Sequence, residues 1–112
     1  MLKIIKNKDF TEVKFDNIKK LNVIVSAPIK SELQDLFETS EIKVLINMEG
    51  IEYIDSTGFS VLLSALRVSG RNNGQIVICS VSESAFELFK VLQLHTVFSI
   101  IKNREEAIKL FN

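Results

Sequence analysis

Short apolar runs alternate along the chain with longer stretches in which apolar residues return every three or four positions. Leu2–Lys6 and Thr11–Phe15 have strand length, and the second sets Val13 and Phe15 against polar neighbours with the period of two of a half-buried strand. Ser26-Ala27-Pro28 reads as a helix start, with Pro28 near the first turn, where a missing N–H costs little. Ile29, Leu33, Leu36 and Phe37 then share one helical face through about Glu38. Lys43–Asn47 (KVLIN) is short, apolar and rich in branched side chains, as a buried strand is.

The next helix follows the tetrapeptide Asp55-Ser56-Thr57-Gly58 and carries Phe59, Val61, Leu62, Leu63, Ala65, Leu66 and Val68. It is apolar on more than one side, so it is expected to be the most buried helix. Gly70 is expected to end it, with Arg71-Asn72-Asn73-Gly74 as the return loop. QIVICS at 75–80 is a second core strand. Ser84-Ala85-Phe86-Glu87 offers a capping box for a third helix with Phe86, Phe89 and Leu92 or Gln93 along it. Residues 97–101 form a last strand, and Asn103-Arg104-Glu105-Glu106 caps a final helix bearing Ala107, Ile108 and Phe111.

Strands alternating with helices predict an α/β fold in a single domain over residues 1–112. Crossover helices imply parallel pairing from residue 43 to residue 101, and the opening hairpin implies an antiparallel edge. The expected architecture is a mixed, mainly parallel sheet of about four to five strands with about four helices.

Composition narrows the functional classes. A length of 112 residues allows one domain, with a radius of gyration of roughly 13 Å. Hydrophobic residues make up 46% and charged residues 25%, which places the chain among globular proteins and away from disordered ones. Fourteen basic and fourteen acidic residues cancel, so the basic excess of a nucleic-acid binder is missing. The lysines of the first twenty residues are interrupted by Asp9, Glu12 and Asp16 and read as a solvated face. Ile76 to Cys79 is the longest unbroken apolar run, far below the roughly 20 residues that span a bilayer. The first six residues lack the apolar centre of a signal peptide, and the one cysteine cannot form an internal disulfide. The expectation is a cytoplasmic protein that binds neither membrane nor nucleic acid directly.

Catalytic apparatus is hard to assemble from these residues. His95 is the only histidine, without the spacing of a metal site or a base beside a nucleophile, and reads as a surface or half-buried residue. Cys79 lies mid-strand among apolar residues and reads as a buried, inert thiol. Gly50, Gly58, Gly70 and Gly74 make no phosphate-binding loop, and no cofactor is implied. Asp55-Ser56-Thr57-Gly58 differs from an aspartic-protease loop by one intervening residue and has no second copy to supply the facing carboxylate.

Ser56 stands where the most apolar helix must begin, and there the free N–H groups and the positive end of the helix dipole favour an added phosphate. Gly58 costs the helix about 1 kcal/mol relative to alanine, a penalty tolerated where something must approach the backbone closely, such as a kinase. The stretch from Ile46 to Gly58, INMEGIEYIDSTG, resembles the central signature of STAS domains of the bacterial anti-sigma-factor antagonist family. The likeness runs over nearly the whole chain. Lys20-Leu21-Asn22 leads into the first helix as the family's Glu-Leu-Asp segment does, and Gly74 to Cys79 and Arg104 to Ala107 match in spacing.

The resemblance implies a regulator and kinase substrate, not an enzyme. Its unphosphorylated form would bind an anti-sigma factor that is also a serine kinase, and so release a sigma factor. Phosphorylation of Ser56 would end that binding, and a serine phosphatase would restore it. Asn22, Asp55, Ser56, Thr57, Gly58 and Ser60 are the implied partner-binding residues, with the 20–22 segment beside the start of the Ser56 helix. Asn22, Lys19-Lys20 and Ser60 depart from the usual residues of that family, which bears on the partner's identity. The alternative is a STAS-type accessory or scaffold subunit of a transporter or signalling assembly.

Overall fold

A computed structural model describes residues 1–111. Strands β1 (Leu2–Lys6), β2 (Thr11–Phe15), β4 (Lys43–Asn47), β6 (Gln75–Cys79) and β7 (Ser99–Ile101) form one sheet in the order β1-β2-β4-β6-β7. The β1–β2 hairpin is antiparallel and every other pair is parallel, as the alternation of strands and helices predicts. A second, two-stranded parallel sheet joins β3 (Lys20–Leu21) to β5 (Tyr53–Ile54). Its strands are too short to show a period, and from the sequence both segments read as loop.

Helices α1 (Val23–Phe37), α2 (Ser56–Arg71) and α3 (Glu83–Val91) cover one face of the large sheet. Alternate residues of the strands, such as Val13, Val44, Ile46, Ile76 and Ile78, meet Ile29, Leu33, Phe37, Leu62 and Phe89 in the main core. Helix α2 is the most deeply buried helix, as expected: Gly58, Phe59, Val61, Leu62, Ser64, Ala65, Val68 and Ser69 are all buried. On the opposite face α4 (Arg104–Ile108) and the turn after it close a smaller cluster of Leu45, Val77, Cys79, Ala107 and Phe111. Glu12, 2% exposed, is held there by a bidentate pair with Arg104 (Nη2–Oε1 2.9 Å) and by the Asn47 amide (3.0 Å).

Four boundaries differ from the expected ones. Helix α1 starts three residues before Ser26, because the Asn22 side chain accepts from the Ile24 N–H at 3.1 Å and caps the chain there. Pro28 therefore lies in the second turn, on an exposed stretch of the helix. Gly70 does not end α2; the helix runs on to Arg71, and Asn73 takes the left-handed conformation (φ 57°) while the Gly74 N–H returns to the Ser69 carbonyl at 2.8 Å. Ser82, not Ser84, caps α3, its hydroxyl accepting from the Ala85 N–H at 3.1 Å. Ser84 instead donates to the Glu52 carbonyl. Strand β7 begins at Ser99, because residues 94–98 are wound into a single turn with the Phe98 N–H on the Leu94 carbonyl.

Candidate functional site

The site forms where the two-stranded sheet delivers α1 and α2 side by side. Strands β3 and β5 run parallel in the register Lys20↔Tyr53 and Leu21↔Ile54, so Asn22 and Asp55 emerge as neighbours, each at a helix cap. The Asp55 N–H donates to the Leu21 carbonyl at 3.1 Å and locks the two caps together. The 20–22 segment thus lies beside the start of α2, where the resemblance puts it.

Asp55 closes the first turn of α2. One carboxylate oxygen accepts from the Gly58 N–H at 3.0 Å and from the Thr57 hydroxyl at 2.5 Å. The Thr57 hydroxyl, and after it the Gly58 N–H, hold the Asp55 carboxyl below the usual carboxylate range, so the group is charged at neutral pH. The two adjacent hydroxyls are thereby unequal. Thr57 is half-buried and its proton is committed to Asp55, whereas Ser56 is exposed and its hydroxyl joins no hydrogen bond among the described residues.

Gly58 is buried beneath this turn, and its absent side chain serves the chain's own packing. A Cβ there would collide with the Leu21 carbonyl oxygen and come within 2.8 Å of Ile54 Cγ2. A close approach to the backbone at this glycine thus comes from within the fold, from β3. Ser60 is exposed one turn further along α2. With Ser26, Ala27 and Lys30 of α1, and Thr57 and Val61 of α2, it lines a cleft of about 240 Å³ between the two helices.

The fold also exposes residues that periodicity did not single out. Val23 and Ile24, at the first turn of α1, are 66% and 80% exposed, and Tyr53 on β5 is 48% exposed. Large apolar side chains left in water beside a polar cap are typical of contact surfaces. The signal in the sequence was the run Val23-Ile24-Val25, which carries more apolar surface than a turn into a helix needs.

Elsewhere the chain offers less chemistry. His95 is exposed, and Cys79 is buried, with burial pushing its thiol up and away from reactivity. Among the described residues no three His, Cys, Asp or Glu side chains gather as a metal site. Among the same residues, no helix is long and apolar enough to cross a membrane.

The sequence model of the STAS domain matches residues 6–107. The chain is 24% identical over 98 residues to the anti-sigma-B factor antagonist of Staphylococcus aureus, covering 85% of this chain and 91% of that one. Its fold superimposes on an anti-sigma-factor antagonist (STAS) domain protein from Planctomyces limnophilus with a TM-score of 0.90, at 21% identity and over 98% and 97% of the two chains. It also matches the anti-sigma factor antagonist SpoIIAA, solved in its unphosphorylated form (TM-score 0.71, 15% identity, 95% and 92% of the two chains). Likeness at these identities establishes the fold, and the match over residues 6–107 establishes the family: the chain is a member of the STAS domain family.

Proposed function

We propose that the protein is an anti-sigma-factor antagonist whose binding surface is the paired start of α1 and α2, switched off by phosphorylation of Ser56. The observation that carries this reading is the inequality of the two hydroxyls after Asp55: Ser56 exposed and unbonded, Thr57 tied to the carboxylate. Exposed Val23, Ile24 and Tyr53 around it supply the apolar surface that a partner would bury. Relatives that are themselves anti-sigma factor antagonists support the class of partner.

The switch needs no change of fold. A phosphate brings roughly −1.5 to −2 charge to Ser56, next to an Asp55 carboxylate already ionised. Covering that charge with a partner surface lacking a matching cation costs several kcal/mol. About 3 kcal/mol lowers affinity more than a hundredfold. The partner is an anti-sigma factor acting also as serine kinase, and a serine phosphatase reverses the modification. The protein is the substrate of both and has no catalytic role of its own in this scheme.

The test is incubation with candidate anti-sigma factors and ATP, mapping of phosphate by mass spectrometry, and calorimetry on Ser56→Ala and Ser56→Asp. Ser56→Ala is expected to bind and take up no phosphate, and Ser56→Asp to bind poorly. Undiminished phosphate uptake by Ser56→Ala would move the acceptor to Thr57. Absence of both binding and transfer would favour an accessory subunit of a transporter or signalling assembly.

A further inference from the structure

The cleft between α1 and α2 has a charge pattern of its own. Its walls are Ser26, Ala27, Thr57, Ser60 and Val61, and the one ionisable side chain in the lining is Lys30. On α1 the residues three and four positions from Lys30 are Ala27, Leu33, Ser26 and Gln34, so no acid on its own helix neutralises it. Lys30 forms no ion pair among the described residues. Beyond the cleft, the Gln34 amide donates to the Ser64 hydroxyl at 3.0 Å and ties the helices together. The cleft is therefore open at the Ser56 end and bridged at the other.

Its position relates it to the proposed binding surface. Lys30 is seven residues after Val23, about two turns, which sets its backbone roughly 10 Å along α1 from the exposed Val23. Ser60 is one turn after Ser56 on α2. Val23, Ser26, Ala27 and Lys30 stand at the i, i+3, i+4 and i+7 positions of one face of α1, so a segment lying on Val23 runs on into the cleft.

Resting on the proposed role of the Ser56 surface, we infer that this cleft is the specificity pocket of that surface, and that it receives an acidic side chain of the anti-sigma partner, paired with Lys30. A carboxylate fits the lining better than other occupants do. A single cation with no facing acid selects an anion, and the unbonded Ser60 hydroxyl adds a donor. The small walls at Ala27 and Ser26 admit a side chain rather than a second backbone layer. Electrostatic matching of this kind chooses between partners of similar shape more than it sets overall affinity.

Two measurements on the whole chain test this. In the first, Lys30→Glu and Lys30→Arg are compared with wild type in binding the anti-sigma factor by calorimetry at low and high salt, with Lys109→Glu, across the sheet in the turn after α4, as control. Lys30→Glu should weaken binding by about tenfold or more at low salt and flatten the salt dependence, while Lys30→Arg and Lys109→Glu stay near wild type. In the second, the amide resonances of labelled protein are followed while a capped tetraglutamate peptide is added. Shifts should concentrate at Ala27, Lys30 and Ser60 and vanish in Lys30→Glu. Binding of the anti-sigma factor that is indifferent to Lys30→Glu overturns the pocket and leaves the proposed function standing. Peptide shifts in the cleft without anti-sigma binding would sink the proposed function and leave the pocket. An equal response to inorganic phosphate, or cleft shifts on self-association alone, would replace the side chain by a free anion or by a second copy of the chain.

Discussion

The carbonyl oxygen of Leu21 occupies the space that a side chain on Gly58 would need. This contact seats the first turn of α2 on β3 and so holds the Asn22 and Asp55 caps in register. Gly58→Ala should destabilise the protein even though alanine is the better helix former, because overpacking of about 1–3 kcal/mol exceeds a propensity gain near 1 kcal/mol. Gly70 is the matching control: it lies inside the same helix with nothing within 4 Å of a built Cβ. Gly70→Ala should stabilise by about 0.4–1 kcal/mol. Urea melts of the two variants should shift in opposite directions, and equal shifts would refute the packing role of Gly58.

Leu62 is fully buried in the main core, while Leu66, one turn on, is only half-buried. Leu62→Ala should cost about 2–5 kcal/mol in denaturant melts, and Leu66→Ala clearly less. Losses under about 1 kcal/mol at Leu62 would contradict the packing of α2 on the sheet.

Asn22 caps α1, so its replacement has a structural cost before any effect on a partner. Asn22→Ala should lose about 1 kcal/mol, close to 4 °C in melting temperature for a chain of this length. Asn22→Asp keeps the acceptor and should keep the melting temperature. A contribution of Asn22 to partner binding is then measured on Asn22→Asp, where the fold is intact; unchanged affinity there would restrict Asn22 to capping.

Glu12 predicts the acid limb of stability. Burial by itself raises its carboxyl, but the Arg104 and Asn47 hydrogen bonds more than reverse this, leaving it below the usual carboxylate range. A group held lower in the folded than in the unfolded chain stabilises the fold above its unfolded value of about 4.3, and that share is lost as pH falls through the lower folded value. Stability should therefore drop from about pH 5 downward, and Glu12→Gln should flatten the drop while being less stable at neutral pH. Arg104→Ala leaves the buried carboxylate with Asn47 alone and should cost about 1–3 kcal/mol at neutral pH. Parallel pH–stability curves for wild type and Glu12→Gln would refute this assignment.

Much of the fold was legible along the chain because its strands and helices bury continuous stripes. The five strands of the large sheet, the apolar α2 and the Asn103 cap all follow from periodicity and end residues, which act over a few neighbours. Helix ends were less legible. Ser26, Gly70 and Ser84 are each a chemically sound cap, yet Asn22, Asn73 and Ser82 prevail, because the tertiary path of the chain selects which competent residue takes the extended or left-handed backbone.

The sequence by itself determined an α/β chain with a hydroxyl pair at the start of its most apolar helix, since both depend on local order along the backbone. Only the tertiary structure decided what surrounds that pair. Leu21 and Gly58 are 37 positions apart, and Lys30 and Ser60 are 30 apart. No periodicity links residues so distant; the two-residue pairing of β3 with β5 does. That pairing sets Asn22 beside Asp55, at the first exposed turns of both helices, and accounts for Gly58 by a contact inside the fold.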